Sequence, residues 1–104
     1  MTNKPRCVVD TNVLISAFLS KKGKPSSVVR RVLTHGVLLE SAATFEELET
    51  CIRRPKFRKY GPPEEVEAYL GLLSDQSHFV TITEKITACT DPDDDMFLEV
   101  AVNG

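Results

Sequence analysis

The stretch CVVDTNVLISAF, Cys7 to Phe18, decides how the rest of the sequence reads. Cys7, Val8 and Val9 form an apolar run suited to a buried strand. Val13, Leu14, Ala17 and Phe18 then recur at helical spacing. Asp10, Thr11 and Asn12 stand at the junction, where a strand hands over to a helix. In parallel α/β sheets the functional crevice lies at the carboxyl ends of the strands, so this junction is the first place to look for a site.

Outward from that junction, strands and helices alternate. Arg6–Val9 reads as the first strand and Thr11–Ser20 as a helix. A basic loop, KKGKP, follows. The next helix has Ser26 or Ser27 as its expected cap, Val28, Val29, Val32 and Leu33 on one face, and Gly36 as its stop. Val37–Ser41 reads as the second strand. A helix is expected over Thr44–Arg53, and Pro55 prevents its continuing. RRPKFRKYGPP reads as an irregular basic segment. Another helix starts near Pro63, a third strand is expected over Phe79–Ile82, and Asp91-Pro92 opens a last helix as N-cap and first residue. Strands separated by helices argue for a parallel sheet with helical crossovers.

The bulk numbers suit a single domain. The chain has 104 residues, 41% of them hydrophobic and 27% charged, and 13 Lys+Arg against 15 Asp+Glu give a net charge of −2. No apolar run is long enough to span a bilayer. MTNKPR lacks the apolar core of a secretory signal, so a cytoplasmic location is expected. Cys7, Cys51 and Cys89 are widely spaced, which argues against a disulfide framework or a cysteine zinc site. Cys7 and Cys51 read as small buried hydrophobes.

Acidic residues mark the expected carboxyl edge of the sheet. Asp10 follows the first strand, Glu46 and Glu47 follow the second, and Asp91, Asp93, Asp94 and Asp95 follow the third. Carboxylates gathered at one edge repel, and a divalent cation with a preference for oxygen ligands relieves that repulsion. The chemistry this suggests is metal-assisted hydrolysis of a phosphodiester. Each acid also has a structural reading. Asp10 can cap the helix, Thr44 and Glu47 can form a capping box, and Asp93–Asp95 complement a helix dipole. The positive charges are clustered as well. RRPKFRK, Arg53 to Lys59, suits a phosphate backbone, with Phe57 or Tyr60 offering a ring for stacking, or it is a solvated helix end.

Three blocks carry a resemblance. VVDTNVLISAF, SAATFEELETCIRRPKF and DPDDDMFLEVA resemble, in order and spacing, the three blocks of PIN-domain ribonucleases. They are most similar to the branch described as toxins of toxin–antitoxin systems. The resemblance implies a three-layer α/β/α fold with a central parallel sheet and an acidic cluster that binds Mg²⁺ or Mn²⁺. It implies endonucleolytic cleavage of RNA and, for a type II toxin, an antitoxin protein as partner. Carried over by position, Asp10, Glu47 and Asp94 are the catalytic, metal-binding acids. Thr11, Asn12, Asp91 and Asp95 support them, and Arg53, Arg54 and Lys56 hold the RNA.

The pattern departs from the family in one respect. PIN domains usually continue into a further strand, a loop reading roughly T-G-D and a final strand, whereas this sequence ends at Gly104. The expectation is one domain over residues 1–104, incomplete at its C-terminus, with the C-terminal strands missing. That would expose apolar surface and favour a homodimer or higher oligomer. The alternative reading is a catalytically impaired module that binds RNA or protein. A haloacid-dehalogenase-like phosphatase also places Asp after its first strand, but needs a second Asp where this chain has Asn12.

Overall fold

A central strand, β2 (Val37–Glu40), has β1 (Arg6–Cys7) on one side and β3 (Ser77–Phe79) on the other in the computed structural model, and both pairs are parallel. The structure describes residues 4–82 and 92–104, the side chains of residues 92–95 and 98 apart. Arg6 lies opposite Val37 and Cys7 opposite Leu38, while Leu38, Leu39 and Glu40 lie opposite Ser77, His78 and Phe79. The carboxyl ends of the strands therefore share one edge, with Ser41 directly after β2 and Asp10 three residues after β1.

Among the described residues five α-helices complete the order: α1 (Thr11–Leu19) and α2 (Lys24–His35) between β1 and β2, α3 (Ala42–Ile52) and α4 (Pro63–Gln76) between β2 and β3, and α5 (Pro92–Asn103) after β3. This is the element sequence expected from the hydrophobic pattern, and it agrees with an α/β/α fold of the PIN type. α5 packs against α3 and β2. Leu14, Leu38, Leu48, Ile52 and Leu73 are each 1% exposed or less and form the centre of the core. Burying each such side chain contributes about 1.5–3 kcal/mol. Phe18 and Tyr69 meet at 5.2 Å, and the Tyr69 hydroxyl donates to the Leu14 carbonyl at 2.7 Å. Gly61 is needed beside this pair for space, since a Cβ there would stand 2.8 Å from the Phe18 ring.

Several boundaries differ from the sequence expectation. β1 ends at Cys7, and Val8 and Val9 lie half-buried beyond the last residue paired with β2. β3 starts at Ser77, immediately after α4, because its pairing with Leu38–Glu40 sets its range. Val80 N–H still donates to the Glu40 carbonyl at 2.7 Å, so the ladder reaches the start of the expected strand. α2 begins before Ser26, with Gly23 as N-cap and Pro25 in its first turn, where a missing N–H costs nothing. RRPKFRK is partly ordered, as a 3₁₀ helix over Pro55–Tyr60. Cys7 and Cys51 are free thiols and half-buried rather than buried.

The correction that matters most for function concerns α3. Thr44 does not cap it. Ser41 does, its hydroxyl accepting from Thr44 N–H at 3.2 Å while Thr44 Oγ1 accepts from Ser41 N–H at 2.8 Å. This reciprocal box starts the helix at Ala42 and moves Glu47 from its first turn into its second. Glu47 is thereby relieved of any capping role.

Candidate active site

Asp10 holds the start of α1. Its Oδ1 accepts from Asn12 N–H at 2.8 Å, so the structural reading of Asp10 as N-cap is realised. The carboxylate is nonetheless exposed, and Oδ2 has no partner among the described residues. Asn12 steadies Asp10 through its backbone N–H, and its exposed side chain points to no described partner.

Thr11 is 4% exposed, and its hydroxyl donates to Glu47 Oε2 at 3.1 Å. This bond joins two elements 36 residues apart in sequence and brings Glu47 alongside the first turn that Asp10 caps. Thr11 thus acts on the second acid rather than on Asp10. Glu47 Oε1 has no partner among the described residues, and Glu46, its neighbour, is exposed. Asp94 and Asp95 lie in the first turn of α5, with side chains outside the described residues, and Asp91 lies outside them altogether.

A further acid escaped the sequence reading. Glu40 ends β2, is 3% exposed, and accepts from the Thr44 hydroxyl. Its carboxyl is pushed up to about 7, chiefly by burial. The Thr44 bond opposes that shift, and the negative charge of Glu47 adds to it. Electrostatics therefore couples Glu40 to Glu47. The signal in the sequence was the acid that closes an otherwise apolar strand, VLLE.

The basic residues divide. Arg53 donates to Glu67 Oε1 through Nη2 at 2.7 Å and Nε at 3.2 Å, and it stands 3.6 Å from Glu49. Arg54 and Lys56 are exposed and form no ion pair among the described residues, and Lys56 Nζ lies 5.0 Å from the centre of the Phe57 ring. No helix among the described residues is long and apolar enough to cross a membrane.

The PIN-domain profile matches residues 6–104, from β1 to the end of α5. The chain belongs to the PIN-domain family. PIN domains are a superfamily of nucleases, and the match takes in the β1–α1 junction and the acids of α3 and α5 together. The chain is also similar to an uncharacterized protein, MJ1680, of Methanocaldococcus jannaschii, with 29% identity over 100 residues. The similarity covers 94% of this chain and 64% of that protein. No solved structure matches the chain.

Family members typically use divalent metals, so the donor set of this PIN domain is worth testing against one. Asp10 and Glu47 offer only oxygen, on neighbouring elements, each with one oxygen uncommitted among the described residues. Mg²⁺ is commonly held by one or two carboxylates, with water and phosphate oxygens completing its shell. The pair fits such an ion. Among the described residues no group of three or more His, Cys, Asp or Glu is placed to hold one.

Proposed function

We propose that this chain is a metal-dependent endoribonuclease that hydrolyses RNA phosphodiester bonds, and that it serves as the toxin of a type II toxin–antitoxin pair. The observation that carries the nuclease reading is the Thr11–Glu47 hydrogen bond, which sets the second acid beside the turn capped by Asp10. Family membership gives that arrangement its chemical sense. The toxin role, the antitoxin partner, a cytoplasmic location and a homodimer or higher oligomer rest on the likeness of the three sequence blocks alone.

A bound Mg²⁺ or Mn²⁺ would supply charge neutralisation at the phosphate and a lowered pKa for water. Asp10 and Glu47 would hold it, with Asp94 as third acid and Asp91 and Asp95 in support. Asn12 N–H keeps Asp10 in one rotamer, and the Thr11 hydroxyl does the same for Glu47. Arg54 and Lys56 hold the RNA backbone, with Arg53 behind them in its pair with Glu67.

The test is cleavage of a single-stranded RNA in Mn²⁺, with and without EDTA. Loss of an outer partner of a metal ligand typically costs 10–100-fold, so Thr11→Val is expected to lower the rate by about that factor. Glu47→Gln, which removes a ligand, is expected to cost at least about a hundredfold. Cleavage that survives EDTA or Glu47→Gln contradicts the proposal. RNA binding without cleavage returns the chain to the alternative reading, a module that binds RNA or protein.

A further inference from the structure

A cavity of about 210 Å³ opens where the end of α3, the 3₁₀ helix and the start of α4 meet. Ile52, Phe57, Pro63 and Val66 give it apolar walls, and Arg53 and Glu67 stand together at its rim. It is smaller than the roughly 300–1,000 Å³ of pockets that take drug-sized ligands, which is the scale for one flat ring. Exposed cations flank it, with Arg58 in its lining and Arg54 and Lys56 adjacent in the chain. Apolar walls, a hydrogen-bonding rim and a cationic surround are together what an unpaired nucleobase with its phosphate requires.

The rim discriminates between bases. Arg53 Nε and Nη2 both bond to Glu67 Oε1, and Oε2 has no partner among the described residues. A carboxylate only accepts, and with Oε1 taken up by Arg53 it is Oε2, with its two lone pairs, that can accept from a base. Guanine is the base whose pairing edge carries two adjacent donors, N1–H and the N2 amine. Its O6 accepts, and the Arg53 guanidinium lies beside the carboxylate to donate to it.

We propose that this cavity is a guanine-recognition subsite for the RNA substrate, with Glu67 reading the N1–H and N2 edge. The inference rests on the nuclease reading for its substrate. Arg53 follows Glu47 by six positions, a rise of about 9 Å along the helix axis.

The experiment measures binding of single-stranded RNA hexamers in EDTA, where neither metal nor cleavage is needed. Four hexamers differ at one position, carrying guanine, hypoxanthine, adenine or uracil. The guanine hexamer is expected to bind about tenfold more tightly than the adenine one, with hypoxanthine between them because it lacks the N2 amine. Glu67→Gln, a change at an exposed residue, is expected to abolish that preference and leave the adenine hexamer bound at least as well as before. Equal binding of all four hexamers, a preference that survives Glu67→Gln, or no binding of any hexamer overturns the subsite. Guanine preference in EDTA without cleavage in Mn²⁺ overturns the nuclease reading and leaves the subsite standing.

Discussion

At the scale of single residues, Glu40 and Glu47 show how position divides two similar acids. Glu47 keeps one oxygen toward the turn capped by Asp10, while Glu40 is buried behind it at the strand end. Burial holds the Glu40 carboxyl near 7 against an ordinary value of 4.5. The folded chain therefore binds this proton more tightly than the unfolded chain does. The contribution is fully present below pH about 4.5, declines as pH rises toward about 7, and is lost above it, a swing of about 3 kcal/mol. Glu40→Gln removes the group that must ionise. In metal-free buffer the variant is expected to unfold at a higher temperature than the parent at pH 8, and at nearly the same temperature at pH 4. Equal shifts at both pH values would mean that Glu40 titrates normally. The sequence did not reveal this role because burial depends on the helices that close over β2, and an acid at a strand end is ordinarily solvated.

At the scale of elements, helix entry points explain what was legible and what was not. α1 was legible over nearly its full length, because Asp10 is both a favoured cap and the boundary of the apolar pattern. α3 was not, since Ser41 and Thr44 are both good caps and only the structure shows them serving one helix as a reciprocal pair. With Thr44 as the cap, Glu47 would carry a structural task that it does not have. Ser41→Ala removes the cap and is expected to cost about 1 kcal/mol. Thermal unfolding would register it as a lowered midpoint. No change in the midpoint would mean that the box contributes nothing. The strands were legible in number and direction but not in extent. Their ends are set by pairing across the sheet, which runs such as CVV and FVTI do not encode.

At the scale of the whole molecule, parallel strands bring distant acids to one edge, and that topology followed from the alternation of strands and helices alone. Asp10 and Glu47 were legible as site candidates because both follow strands. Their connection through Thr11 was not, because a hydroxyl bond between α1 and α3 leaves no trace in the local pattern. The basic segment was legible as a cluster, but the Arg53–Glu67 pair was not, since α4 had to fold back before Glu67 met Arg53.

The proposed chemistry requires that Asp10, with Glu47, hold a divalent cation. Calorimetric titration of Mn²⁺ into the chain and into Asp10→Asn tests it most directly. Asn caps helices as well as Asp does, so the variant keeps α1 and loses only the charge. A saturable binding heat is expected for the parent chain, lost in Asp10→Asn while the unfolding midpoint of metal-free protein barely moves. Binding that persists unchanged in Asp10→Asn, or no binding to either protein, would contradict it.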